Sequence, residues 1–118
     1  MNLDGIAKAL NLKIFCGYDK MDTVVLNGYI GDLLSDVMAN SKEGDLWITR
    51  QVHQNIIAVA SLKDLAGIVL VQGAEPTEDT LEKAQKESVP IMVTDLYGFE
   101  IVNRIYNMIK GEEDSAKL

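Results

Sequence analysis

Three short apolar runs punctuate the middle of the chain: Asp45-Leu46-Trp47-Ile48-Thr49, Gly67-Ile68-Val69-Leu70-Val71 and Pro90-Ile91-Met92-Val93-Thr94. Helix-length segments separate them. Unbroken β-branched and aliphatic runs of this length suit strands covered on both faces, the arrangement of parallel sheets wrapped by helices. Residues 45–94 therefore predict a β-α-β-α-β core, and the fold class is α/β: a single domain with a small, mostly parallel sheet and flanking helices.

The flanks follow the same logic. Residues 2–10 place Leu3, Ile6, Ala7 and Leu10 on one side of a short helix, and Lys13-Ile14-Phe15-Cys16 predicts a strand ending in the turn residues 17–20. A second strand is expected over 24–30, interrupted at Asn27-Gly28 by a bulge or a tight turn, of which the bulge fits better. Between Asp32 and Asn40, Leu33, Leu34, Val37 and Met38 recur at helical spacing with Asp32 as the N-cap. The segment 54–65 has strand propensity at Ile56-Ile57-Ala58-Val59-Ala60. A crossover of about a dozen residues is needed between parallel strands, so it is assigned to a helix capped by Asn55. Thr77 caps the next helix, with Glu78 and Asp79 in its first turn and Lys83 and Lys86 late in it. The last helix, 96–110, carries Ile101, Val102, Ile105, Tyr106 and Ile109 on one stripe, with Gly111 as its C-terminal stop. The domain is then 1–111, followed by a polar, acidic tail at 112–118 expected to be disordered.

Composition adds boundaries to this outline. With 118 residues, 47% hydrophobic and 25% charged, the chain has the make-up of one ordinary globular domain. Its net charge of -7 repels phosphate backbones and anionic membranes, and the eleven Lys and Arg are scattered, so neither nucleic acid nor a membrane surface is an expected partner. The stretch from Met1 to Leu12 carries an acidic residue and no long apolar run, unlike a signal peptide or a membrane span. Cys16 is the single cysteine, placed in an apolar run and unable to bridge internally, which fits a core position in a reducing cytoplasm.

Candidate chemistry collects at the carboxyl ends of the three core strands, where open α/β sheets bind ligands. Thr49, Arg50, Gln51, His53, Asn55, Gln72, Gly73, Thr94 and Asp95 stand there. Hydroxyls, amides and the free N–H groups at the helix start after Asn55 suit a phosphate or carboxylate, with Arg50 to neutralise it. No catalytic signature accompanies them. The chain lacks G-x-G-x-x-G and the P-loop pattern, its serines lie in no G-x-S-x-G context, and a lone His53 without thiols or a second histidine makes no metal site. Asp32 and Asp36 share a helix face but have no third oxygen donor, so they are a cap and a solvated residue. The expectation is a non-enzyme with no catalytic residue, metal or cofactor. Tyr29 and Trp47 supply aromatic surface of the kind found at interfaces, and twofold dimers are the commonest oligomers, so a homodimer is expected.

The stretches 27–49 (NGYIGDLLSDVMANSKEGDLWIT), 53–76 (HQNIIAVASLKDLAGIVLVQGAEP) and 89–106 (VPIMVTDLYGFEIVNRIY) together resemble a stand-alone DRTGG domain, over residues 11–107. The eponymous five-residue motif has no literal copy here; Trp47-Ile48-Thr49-Arg50-Gln51 and Val71-Gln72-Gly73-Ala74 come nearest in character. The resemblance implies a fold similar to the amino-terminal domains of HPr kinase/phosphorylase and of the Mur ligases. It also implies a regulatory or accessory role, since such domains accompany some phosphotransacetylases and CBS-containing pyrophosphatases. The expected function is a dimeric regulatory domain sensing a small anionic or nucleotide-like ligand at the strand ends, beside a partner enzyme. A protein–protein interaction module without a small-molecule ligand is the alternative.

Overall fold

The computed structural model describes residues 1–116. Twelve buried positions at the centre of three strands set its layout: every residue of β3 (Asp45–Thr49), β4 (Gly67–Leu70) and β5 (Ile91–Val93) is shielded from solvent. These strands lie side by side and parallel, as their unbroken apolar runs require. Strand β2 (Asn27–Ile30) extends the parallel set beyond β3, and β1 (Lys13–Cys16) pairs antiparallel with β5. The sheet order is β1-β5-β4-β3-β2, which leaves β1 and β2 as the edges.

Alternation along the strands divides the core between two helical layers. Leu46, Ile48, Val69 and Met92 meet Leu3, Ile6 and Ala7 of α1 (Leu3–Leu10) and Ile101 and Ile105 of α5 (Gly98–Ala116). Trp47, Ile68, Leu70 and Ile91 meet the other layer: Val37 of α2 (Leu34–Asn40), Ile56, Ile57 and Ala60 of α3 (Asn55–Leu62), and Ala84 of α4 (Glu78–Glu87). Gly17, with φ of 92°, lets the chain leave β1 against Pro90; a Cβ there would sit 2.6 Å from the Pro90 Cα. The helix starts follow side-chain chemistry: Asn2 accepts a bond from the Gly5 N–H, and Thr77 accepts one from the Thr80 N–H as the cap of α4.

Several expectations are corrected. Strand β2 begins at Asn27, not at residue 24, and Asn27-Gly28 forms neither bulge nor turn: four successive residues pair in register with Asp45–Ile48. The sheet irregularity falls between Ile14 and Cys16 of β1. Leu33, not Asp32, occupies the N-cap of α2, because the Asp32 carboxylate is drawn to β3; of the four apolar residues assigned to that helix face, only Val37 is buried. Asn55 is the first residue of α3 and not its cap; the cap position belongs to Gln54, and His53 Nδ1 accepts from the Asn55 N–H at 3.2 Å. Trp47 is no surface aromatic: it is fully buried and donates from Nε1 to the Gly31 carbonyl at 2.8 Å. Helix α5 starts at Gly98 and continues through Gly111, which lacks the left-handed φ of a C-terminal stop. Of the tail expected to be disordered, residues 112–116 are helical, tied by Lys110 to Glu113 and Asp114 and by the Met1 amino group to Glu112, and residues 117–118 lie outside the described residues. No helix among the described residues is long and apolar enough to cross a membrane.

Candidate functional site

Parallel strands end together, so the polar residues after β3, β4 and β5 share one end of the sheet; the structure sorts them into separate places. At the β3 corner, Thr49 is 1% exposed and donates its hydroxyl to Asp32 Oδ1 at 2.7 Å, while the Arg50 N–H donates to the same oxygen at 2.9 Å. The Gln51 N–H completes the turn by donating to Thr49 Oγ1 at 3.1 Å. These donors, the Arg50 N–H first and then the Thr49 hydroxyl, hold the Asp32 carboxyl below its ordinary value against partial burial, with help from the Arg50 charge. Thr49, Arg50, Gln72 and Asp32 line a recess of about 140 Å³ that Gly98 and Ile30 close.

The backbone donors around this corner are engaged. Gln72 and Gly73 both adopt left-handed φ, 57° and 73°, which aims their N–H groups at the Leu96 and Thr94 carbonyls at 2.9 and 3.0 Å. The first donors of α3 are taken likewise: Asn55 by the His53 ring, Ile56 by the His53 carbonyl and Ile57 by the Gln54 carbonyl. The phosphate cradle expected from free N–H groups after Asn55 is thus filled by the chain itself. His53 serves as a local cap on the surface, and Gln51, His53 and Asn55 line neither the recess nor the cleft described next.

A larger opening lies at the far corner, where β5 ends beside the start of β1. Gly73, Thr94 and Asp95 line a cleft of about 560 Å³, within the range of small-molecule sites. Asn11, Lys13 and Arg104 line it with them. Thr94, 9% exposed, holds this lining in place by accepting from the Leu96 N–H through Oγ1 at 3.1 Å. Sequence reasoning missed Asp32 as a partner of β3 because an Asp ahead of a helix has a ready role as cap. It missed Asn11, Lys13 and Arg104 because they stand on the antiparallel edge strand and the last helix, outside the core cadence.

Residues 5–108 match the DRTGG domain. The chain belongs to the DRTGG domain family. The match extends beyond the 11–107 span of the sequence resemblance and takes in most of α1 and α5 as far as Met108. No curated protein matches the chain. Among solved structures, this DRTGG domain is similar to the crystal structure of the CBS and DRTGG domains of the regulatory region of Clostridium perfringens pyrophosphatase, complexed with the activator diadenosine tetraphosphate. The TM-score is 0.71 at 16% identity, over 86% of this chain and 44% of that one. A likeness at that identity establishes the shared fold, and the present chain spans less than half the length of its neighbour.

Proposed function

We propose that this DRTGG domain is a cytoplasmic regulatory or accessory module with no reaction of its own, which takes a small anionic, nucleotide-like ligand at the strand ends and works as a homodimer beside a partner enzyme. The observation that carries the reading is the cleft of about 560 Å³ at the end of β5, a concave space of ligand size where cationic, carboxylate and apolar side chains converge. The family membership supports it, since the similar pyrophosphatase carries its DRTGG domain in a regulatory region complexed with a nucleotide activator.

Thermal unfolding of the purified protein against adenine and guanine nucleotides, dinucleotide messengers, acetyl phosphate and coenzyme A tests this directly. A ligand at about a hundred times its dissociation constant adds roughly 2.7 kcal/mol to stability, which raises Tm by several degrees in a domain of this size. A flat panel at millimolar ligand overturns the ligand reading. It would leave the interaction module, which a separate observation favours: Ile30 on edge strand β2 and Phe99 and Tyr106 on α5 are 51%, 91% and 58% exposed, an apolar strip on one side of the molecule.

A further inference from the structure

We infer that the ligand seat is the β5–β1 cleft and that its occupant is a nucleoside phosphate, with Lys13 and Arg104 on the phosphate and Asp95 on the sugar. The inference rests on the ligand reading above and moves its chemistry away from Arg50.

Size and charge select the occupant. The recess at Thr49 and Arg50, about 140 Å³, admits no more than a small anion, whereas the cleft has four times that room. Within the cleft, Lys13 and Arg104 stand with Asp95 and Glu75, so the formal charges of these four side chains cancel. A bare polyanion gains little from such a lining, because each carboxylate offsets a cation. A molecule with a phosphate at one end and hydroxyl donors at the other uses both signs: cations and guanidinium donors take phosphate oxygens, and carboxylates accept from sugar hydroxyls. Leu10, Phe15 and Leu96 supply the apolar surface that a base requires.

The side chains are placed for this work. Lys13 lies with its Nζ 5.0 Å from the ring centre of Phe15, a cation–π contact between two residues of the cleft lining. Arg104 is anchored through Nη2 by Glu100, one turn earlier on α5, and the guanidinium's remaining donors are unspent by that pair. Gly73 lets Asp95 approach: a Cβ at residue 73 would meet Asp95 Oδ1 at 3.3 Å on a backbone already at φ of 73°. These groups come from β1, α5 and the β4 and β5 loops, so folding alone assembles them.

The test is the Tm shift given by AMP and GMP, with adenosine and inorganic phosphate as half-ligands, in the wild type and in Lys13→Ala, Arg104→Ala, Asp95→Ala and Lys86→Ala. Lys86 is an exposed cation of α4 outside the cleft lining and controls for loss of charge alone. The expected result is a shift with a nucleotide, a smaller one or none with either half-ligand, and at least a tenfold weaker apparent Kd in the Lys13, Arg104 and Asp95 variants but not in Lys86→Ala. A nucleotide shift that survives the three cleft variants and disappears in Arg50→Ala overturns the cleft assignment while the ligand reading stands. A shift equal with inorganic phosphate overturns the nucleoside. Absence of any shift in the wild type with these four compounds overturns the nucleoside phosphate, while the ligand reading stands or falls on the wider panel above.

Discussion

Asp32 Oδ1 takes two hydrogen bonds from the end of β3, one from the buried Thr49 hydroxyl and one from the Arg50 N–H. Removing the carboxylate strands a hydroxyl that is 1% exposed, so Asp32→Ala is expected to cost about 1–3 kcal/mol. Chemical denaturation checks the value. The pH dependence has a definite sign, because the folded-state carboxyl is held below its ordinary value. Its contribution is complete above the unfolded carboxyl value near 4 and is lost as pH falls through the lower folded value. The stability gap between wild type and Asp32→Ala is therefore expected to narrow as acid is added below about pH 4; a gap that widens there contradicts the assignment. Tyr29 reports on the neighbouring turn, since its hydroxyl donates to Asp36 Oδ2 at 2.6 Å and its ionisation is pushed up by that bond.

Among the elements, α5 gives the sharpest contrast between sequence and structure. Gly111 fits a helix stop by residue type, yet α5 runs through it to Ala116, and a Cβ there would meet nothing within 4 Å. Gly111→Ala is accordingly expected to raise stability by about 0.5–1 kcal/mol; a stop in the left-handed region would make the same change destabilising, and a Tm measurement separates the two. The core strands β3, β4 and β5 were legible because full burial demands unbroken apolar runs, and the start of α4 because Thr77 caps by local rules; α1 was legible by its apolar spacing, but Asn2, counted inside that helix, is its cap. Strand β2 was not legible at its true length, since Val24 makes only an isolated bridge to Asn2 and stays outside the ladder. The site was half legible: strand ends mark Thr49, Gln72, Thr94 and Asp95, but the partners Asp32, Lys13 and Arg104 arrive from elsewhere in the chain. Edge strand β2 also carries the dimer expectation. It has no charged residue or proline to guard it, and the side chains of Ile30 and Tyr106 are exposed beside it. Light scattering is expected to give twice the 13.0 kDa chain mass for the wild type and the monomer mass for Ile30→Lys; a monomeric wild type contradicts the dimer.

At the scale of the molecule, a net charge of -7 sets a repulsive background for any phosphate, so affinity for an anion must come from cations held locally. Lys13 and Arg104 meet that requirement at one corner of the sheet, beyond the ends of the parallel strands where α/β folds bind ligands. The surrounding fold is rigidly specified, with both faces of the central strands sealed by helices, so a ligand of the proposed kind has only loops and edges to meet. The most direct measurement is a titration of ¹⁵N-labelled protein with AMP, following the backbone amide shifts. The account predicts saturable shifts gathered at Asn11, Lys13, Gly73, Asp95 and Leu96, with β2 and the outer face of α4 unmoved. Spectra unchanged at millimolar nucleotide, or shifts confined to β2 and to Phe99 and Tyr106 of α5, would contradict it.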